Sequence, residues 1–240
     1  MNTKFETEYY LRNTDFDCRG KILPSSVLDL FQESAGAHSE ELGIGSSRMN
    51  AMQLLWVLVR VKYEILGEVL PHTTVQAKTW PLVPSRLGFQ REYLITAADG
   101  TELIRGTSEW VLVHSEKRKI VAVKDVYPFS EGFETRKVFE EKTAKLHDFI
   151  PISAGITVTP GYSQLDTNGH VNNTKYANYI IDLLSPSENE SIRLFQIDYH
   201  KEVLAGVSLS LFCNREENGA LIKGVNETGE KMFTCKILFG

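Results

Sequence analysis

The chain has 240 residues, 42% of them hydrophobic and 24% charged, the balance of a folded globular protein and far from the signature of disorder. One large domain, or two of about 120 residues, can bury a core at this length without disulfides or metals. A formal charge of −5 gives no overall cationic surplus to draw in nucleic acid or an anionic membrane, and the longest apolar run, Leu54–Val59, falls far short of the roughly 20 residues that span a bilayer.

The first eight residues, Met-Asn-Thr-Lys-Phe-Glu-Thr-Glu, lack the apolar run of a signal peptide, so a cytoplasmic location is expected. Cys18, Cys213 and Cys235 form no Cys-x-x-Cys and read as small core or strand residues.

Along the chain, Ser26–Leu42 puts Val27, Leu30, Phe31, Ser34, Ala35 and His38 on one side at helical spacing. Ser26 and Asp29 form a capping-box variant, and Gly43 marks the stop. Gly43-Ile44-Gly45 begins like a dinucleotide fingerprint, but it lacks the third glycine and follows a helix, so it reads as a C-cap loop. From Trp56 to Ile65 the residues Val57, Val59, Val61, Tyr63 and Ile65 alternate with Leu58, Arg60, Lys62 and Glu64, which predicts a half-buried strand. Similar alternation covers Thr74–Trp80, Phe89–Ala97 and Thr107–His114, the last two joined by an Asp99-Gly100 turn, so the sheet is expected to be antiparallel.

Tyr127–Phe149 is rich in Glu and Lys, carries Pro128 and Gly132, and lacks alternation, which predicts a solvated linker with one short helix. Beyond it, Asn173 is positioned to cap a helix with Tyr176, Tyr179, Ile180 and Leu183 as its apolar stripe. Strands then follow at Phe195–Tyr199, Val207–Cys213, Ala220–Gly224 and Lys231–Phe239.

The two halves match in letters as well as in order. Asp17-Cys-Arg-Gly-Lys-Ile22 lies over Asp166-Thr-Asn-Gly-His-Val171, Gly67–Leu70 over Lys201–Leu204, and Asp99–Gly106 over Asn218–Gly224 with one deletion. A helix followed by a twisted antiparallel sheet, given twice, predicts an α+β fold in which each half wraps a sheet around its own helix: the tandem, or double, hotdog. The expected division is 1–127 for the first repeat, 128–149 for the linker and 150–240 for the second repeat.

The chain has no Gly-x-Ser-x-Gly, Walker A or His-Glu-x-x-His sequence, and its six histidines show no i, i+4 pair, so neither a metal nor a cofactor is expected. One segment differs in kind. Leu165–Tyr176 brings a carboxylate, a carboxamide and an imidazole to alternate positions 166, 168 and 170 just before a helix. An extended segment would point all three side chains to one side, and the helix N-terminus behind them would offer N–H groups around Val171 and Asn172 to a developing oxyanion. The alternative is an Asx-rich turn that only caps the helix.

The segment Asp166-Thr-Asn168-Gly-His170-Val-Asn-Asn-Thr-Lys-Tyr176 closely resembles the Asp-x-Asn-x-His-Val-Asn-Asn-x-x-Tyr signature of the acyl-acyl-carrier-protein thioesterases, double-hotdog enzymes of plants and bacteria. Ile197–Glu202 resembles the strand of that family that ends in a catalytic glutamate, and the likeness covers nearly the whole chain. It implies hydrolysis of fatty acyl-carrier-protein thioesters in fatty acid biosynthesis, with Asp166, Asn168, His170 and Glu202 as the reactive network. The cysteine that follows the glutamate in plant members is Val203 here, which argues against a thiol nucleophile.

The resemblance leaves open which of Asp166 and Glu202 is the base or nucleophile. Arg19 and Lys21 stand in the first repeat where the second has Asn168 and His170, so one active site per chain is expected. The first repeat is then free to line the acyl pocket with Val27, Leu30 and Phe31. Lys175, Arg193 and Lys201 are candidates for docking the acidic carrier protein. Glu68 and His200 read as structural. A homodimer is allowed but not required, since the tandem repeat already satisfies hotdog pairing within one chain. An acyl-CoA thioesterase and a non-catalytic acyl-binding protein are the rival readings, and the convergent titratable set counts against the second.

Overall fold

The apolar stripe beginning near Ser26 does form a helix, but a proline starts it. In the computed structural model, which describes residues 3–122, 126, 133–152 and 155–240, helix α1 runs Pro24–Glu41. Proline suits a first helical position because its missing N–H has no partner there in any case. The N–H groups of Ser26 and Val27 both donate to the Leu23 carbonyl, so Ser26 lies inside the helix and not at its cap. At the other end Ile44 N–H reaches back to Ser39 and Gly43 N–H to Glu40, with Gly43 at φ +67°, a Schellman stop of the kind the glycine predicts.

The chain divides into two units, each treated by itself. The first holds the residues up to Asn13 together with Asp29–Lys142, and the second holds Thr14–Leu28 together with Thr143–Gly240.

The first unit contains β1 (Phe5–Tyr10), α2 (Ser46–Ala51), β2 (Leu54–Ile65), β3 (Thr74–Pro81), β4 (Phe89–Thr96), β5 (Glu102–His114) and β6 (Ile120–Val121). Its antiparallel sheet runs β1-β3-β4-β5-β2, with β6 also on β5. The predicted alternation of β2 is broken by a shift of register between Leu58 and Arg60, so Arg60 and Val61 are both buried. A bulge of this kind puts two residues opposite one and turns the face of everything after it. Phe31 of α1 stacks on Tyr93 at 4.2 Å and meets Tyr63 edge-on at 6.3 Å. A Cβ at Gly106 would lie 2.2 Å from the Phe31 ring, so only glycine lets the helix seat there.

The second unit contains β7 (Ile156–Val158), α3 (Lys175–Leu184), β8 (Ile192–Tyr199), β9 (Leu209–Glu216), β10 (Gly219–Asn226) and β11 (Lys231–Phe239). Its order is β8-β11-β10-β9-β7, again antiparallel. Tyr176, Ala177, Tyr179, Ile180 and Leu184 of α3 are buried, and Tyr176 lies edge-on to Phe233 at 5.5 Å. Leu184, and not Leu183, closes the stripe.

The segment around residues 133–152 departs from the expected solvated linker. Pro128, Gly132 and the first residues of that linker lie outside the described residues, while residues 133–152 form no helix and are strapped to the sheets. In the first unit the buried Glu92 carboxylate accepts the Val138 N–H at 2.7 Å, and the Trp80 indole donates to the Arg136 carbonyl at 2.8 Å. In the second, the buried Asp198 carboxylate accepts the Leu146 N–H at 2.9 Å, Gln196 donates to the Ala144 carbonyl at 2.8 Å, and Asn214 bonds both Ile150 and Ile152. Glu92 follows the pleat opposite to Tyr93, and Asp198 opposite to Ile197 and Tyr199, so the strap crosses the sheet face away from each helix. It hydrogen-bonds the buried carboxylates there.

Candidate active site

The segment around Asp166 is a tight turn and not an extended strand. Leu165 and Val171 form an isolated antiparallel bridge, Asp166 N–H donates to the His170 carbonyl at 2.7 Å, and Gly169 at φ +81° closes the turn by donating to the Asp166 carbonyl at 3.1 Å. The Asp166 carboxylate faces inward: Oδ1 accepts the N–H groups of Asn168 at 2.8 Å and His170 at 3.1 Å. Three side chains therefore do not project together, which corrects the period-two expectation. Asp166 holds the loop, Asn168 is exposed with one long 3.5 Å contact to Asp166, and the His170 imidazole reaches elsewhere.

It reaches Glu202. His170 Nε2 lies 3.5 Å from Glu202 Oε2, and both side chains are about three-quarters removed from solvent, at 21% and 27% exposure. Backbone pairing explains how residues 32 apart in sequence meet. His170 bridges Leu204, and Val171 N–H donates to the Val203 carbonyl at 2.8 Å, which lays the loop antiparallel to the segment after β8. Val203 is fully buried, whereas Glu202 and exposed Leu204 flank it, so the alternation turns the glutamate toward the histidine.

The backbone donors expected at the helix end are engaged. Val171 N–H is taken by Val203, and Asn172 N–H by the Gln164 carbonyl at 2.9 Å. The helix also starts later than predicted: Thr174 is its N-cap, with no side-chain cap bond, and Asn173 lies outside it. The Asn172 carboxamide instead accepts the Thr174 N–H at 3.0 Å in an Asx turn.

Two tyrosines that sequence reading left as core residues frame the site. Tyr199, the last residue of β8, donates its hydroxyl to the Asn173 carbonyl at 2.8 Å. Tyr176 packs edge-on against Tyr199 at 5.4 Å. Burial pushes the Tyr176 phenol up, as do Tyr179, Glu202 and Asp166, while a backbone hydrogen bond with Val203 pulls it down. A tyrosine closing the predicted strand immediately before the Glu202 segment was the available signal.

Of the cations expected to dock a carrier, Lys201 is ion-paired with Glu230, Lys175 is half-buried in the first turn of α3, and Arg193 is exposed on β8. Val27, Leu30 and Phe31 are all buried, and Phe31 is committed to the aromatic stack described above. Glu68 is exposed in the loop that follows β2. His200 bonds Thr234 Oγ1 at 2.8 Å, and its imidazole is held below the ordinary histidine value by burial and by Lys231 and Lys145. Among the described residues no group of three or more His, Cys, Asp or Glu is placed to hold a metal, and no helix is long and apolar enough to cross a membrane.

Comparison with known proteins matches residues 2–128 to the acyl-ACP thioesterase N-terminal domain and residues 153–239 to the acyl-ACP thioesterase C-terminal domain. A chloroplastic acyl-[acyl-carrier-protein] hydrolase of Cuphea viscosissima is 23% identical over 94% of the chain, and the chloroplastic oleoyl-acyl carrier protein thioesterase 2 of Arabidopsis thaliana is 24% identical over 82%. The chain spans 56% and 59% of the lengths of these two relatives. Among solved structures, an acyl-ACP thioesterase from Bacteroides thetaiotaomicron superposes with a TM-score of 0.83 at 25% identity, covering 100% of this chain and 98% of that one. The 12:0-ACP thioesterase of Umbellularia californica superposes with a TM-score of 0.85 at 20% identity, with the same coverage.

Proposed function

Because the chain belongs to the acyl-ACP thioesterase family, we propose that it hydrolyses fatty acyl thioesters of acyl carrier protein to a free fatty acid and the carrier's thiol. The observation that carries this reading is the His170 Nε2 contact with Glu202 Oε2 at 3.5 Å in a partly sheltered position. Tandem hotdogs are the architecture that membership and the superposed structures support for the two units.

Glu202 is assigned as the base. Its carboxylate takes a proton from water, the water oxygen attacks the thioester carbonyl carbon, and the C–S bond breaks as that same proton is relayed through His170 to the departing sulfur, which leaves both side chains as they began. The Asn168 carboxamide, exposed on the same loop as His170 and engaged by one long contact to Asp166, is proposed as the donor that polarises the carbonyl, which requires it to turn toward the bound substrate, since the Val171 and Asn172 N–H groups are taken. Asp166 is assigned to holding the loop, because its Oδ1 already accepts two backbone N–H groups. Lys175, Arg193 and Lys201 are assigned to the acidic carrier, with Lys201 exchanging its contact to Glu230 on docking.

The test is hydrolysis of matched acyl-carrier-protein and acyl-CoA substrates across chain lengths. Preference for the carrier-bound series supports the proposal. Equal or better turnover of the CoA series assigns the chain to acyl-CoA hydrolysis, and binding without release of acid would make it an acyl-binding protein.

A further inference from the structure

A buried hydroxyl in a folded protein nearly always has a hydrogen-bond partner, and one that lacks it carries a cost that asks for a reason. The Tyr179 hydroxyl is such a group. The residue is 4% exposed, and its Oη has no hydrogen-bond partner among the described residues. Burial pushes the phenol up to about 12, so at neutral pH it keeps its proton and stands as a donor.

Its place on α3 sets it beside the candidate pair. Tyr176 and Tyr179 are three residues apart on the helix and share a side of it, with their rings 6.3 Å apart. The Tyr176 hydroxyl makes a hydrogen bond with the backbone of Val203, the residue after Glu202, and feels the charges of Glu202 and Asp166 as well as the phenol of Tyr179. His170 and Glu202 keep 21% and 27% of their side-chain surface, whereas Tyr176 keeps 2%. The two phenols therefore lie on the sheltered side of the pair.

A thioester held at the imidazole and carboxylate keeps its sulfur toward solvent, because the sulfur is tethered to a carrier protein, and turns its acyl carbons toward the sheltered side. An unsubstituted alkyl chain has no acceptor for a buried phenol and leaves Tyr179 unsatisfied. An oxygen on the first carbons of the chain would accept its proton.

We propose that Tyr179 is a specificity-determining residue that selects acyl groups bearing a hydroxyl or oxo oxygen on the carbons next to the thioester. The proposal rests on the hydrolase reading above for where the acyl group lies. A site that hydrogen-bonds a substrate oxygen discriminates against the analogue without it, and one neutral hydrogen bond corresponds to about tenfold.

The experiment compares the full-length wild type with Tyr179→Phe, which keeps the ring and removes only the hydroxyl. The substrates are acyl carrier proteins of one chain length, unsubstituted or carrying a 2-hydroxy, 3-hydroxy or 3-oxo group. The wild type should favour at least one oxygenated series by about tenfold in kcat/KM, and the variant should lose that ratio. Calorimetric binding of the free 2-hydroxy and 3-hydroxy acids against the plain fatty acid should show the same preference and the same loss. The melting temperature of the variant should not fall, since Oη gives up no bond to a described residue, and a clear fall would give the hydroxyl a structural partner and overturn the proposal. A wild type with no preference for any oxygenated series overturns it as well, as does a preference that survives in Tyr179→Phe. An equal loss on every series leaves the ratio unchanged and assigns the hydroxyl to the thioester carbonyl that all of them share, which also overturns it. Failure of the hydrolase reading shows separately, as no acid released from any carrier-bound series by the wild type, and the binding ratio of the free acids then decides the role of Tyr179.

Discussion

Asp17 and Asp166 hold their loops with the same hydrogen bonds, although only the second loop carries a histidine. Asp17 Oδ1 accepts the N–H groups of Arg19 and Lys21 at 2.8 and 2.9 Å, and Asp166 Oδ1 accepts those of Asn168 and His170 at 2.8 and 3.1 Å. Each loop also closes through a glycine of positive φ, Gly20 or Gly169, and an isolated bridge, Phe16 to Ile22 or Leu165 to Val171. In the first loop Arg19 turns its guanidinium back onto Asp17 and onto the Ser187 and Glu190 carbonyls, a purely structural use. That the same carboxylate contacts recur where no chemistry is expected supports the proposed scaffold role of Asp166.

The two aspartates and the His170–Glu202 pair should therefore separate cleanly by mutation. Asp17→Ala and Asp166→Ala are each expected to cost about 1–3 kcal/mol of stability, the range for losing hydrogen bonds to a charged acceptor. Glu202→Gln and His170→Ala should leave the melting temperature nearly unchanged and lower kcat at least about 10²-fold. Thermal melts with steady-state kinetics on all four variants decide it. An Asp166→Asn enzyme that is stable but as slow as Glu202→Gln would return the aspartate to the chemistry.

The three thiols should be dispensable. Cys213 and Cys235 are buried, and burial pushes both thiols up, Cys235 well above its ordinary range, so neither offers a reactive thiolate. Cys18 is exposed on the Asp17 loop and should alkylate readily. Mass spectrometry is expected to find one label, on Cys18, with hydrolysis retained. Stoichiometric inactivation at any of the three would bring back a thiol mechanism.

The helices and most strands were legible because each carries its signal locally. The Phe31, Ser34, Ala35 and His38 stripe, the alternation of β3 and β4, and the Asp99-Gly100 turn all depend on neighbours within a few residues. The β1 strand was overlooked although Phe5, Thr7 and Tyr9 alternate with Glu6, Glu8 and Tyr10. The strap was not legible. Its Glu and Lys content reads as solvated, and the groups that anchor its backbone, Glu92 and Asp198, belong to strands far away in sequence. The candidate loop lay between these cases: its letters singled out the candidate residues, but the positive φ of Gly169 and the inward carboxylate of Asp166 made a turn where alternate spacing implied an extended segment.

Stability should fall in two stages on acidification. His200 is held low in the folded protein, by burial first and then by Lys231 and Lys145, against the opposing pull of Asp198 and Asp148. A histidine with a depressed folded value costs nothing above its ordinary value of 6.5, where both states are neutral, and destabilises as pH falls below it because the unfolded chain takes the proton first. Asp17 and Asp148 have lowered values: burial pushes each up, but the Lys21 and Arg19 donors outweigh it at Asp17, and Lys231, Phe149 N–H and Lys223 at Asp148. Their contribution is present above the ordinary carboxylate value of 3.8 and is lost as pH falls through their lowered values. Melting temperatures from pH 8 to pH 3 should show both stages, at about the positions linkage assigns them. His200→Gln should flatten the upper stage alone, and an unaltered upper stage in that variant would assign it to other histidines.

The acyl-pocket assignment makes its sharpest demand at Phe31. The ring occupies the space between Tyr93 and Tyr63 directly over Gly106, with Leu30 buried beside it, so this part of the first unit's core is filled by one side chain. If the fatty tail runs along this helix, Phe31 limits how far it can reach, and shortening the side chain should lengthen the preferred acyl group. Phe31→Ala would leave a cavity costing about 3–5 kcal/mol, so Phe31→Leu, with a smaller loss, is the cleaner variant. Its chain-length profile should shift toward longer substrates while kcat on the best of them stays within about threefold, because the contact is with the remote tail and not the reacting carbon. A collapsed rate with an unchanged profile would mean that α1 supports the reactive centre itself, and the acyl tail would have to be sought along another element.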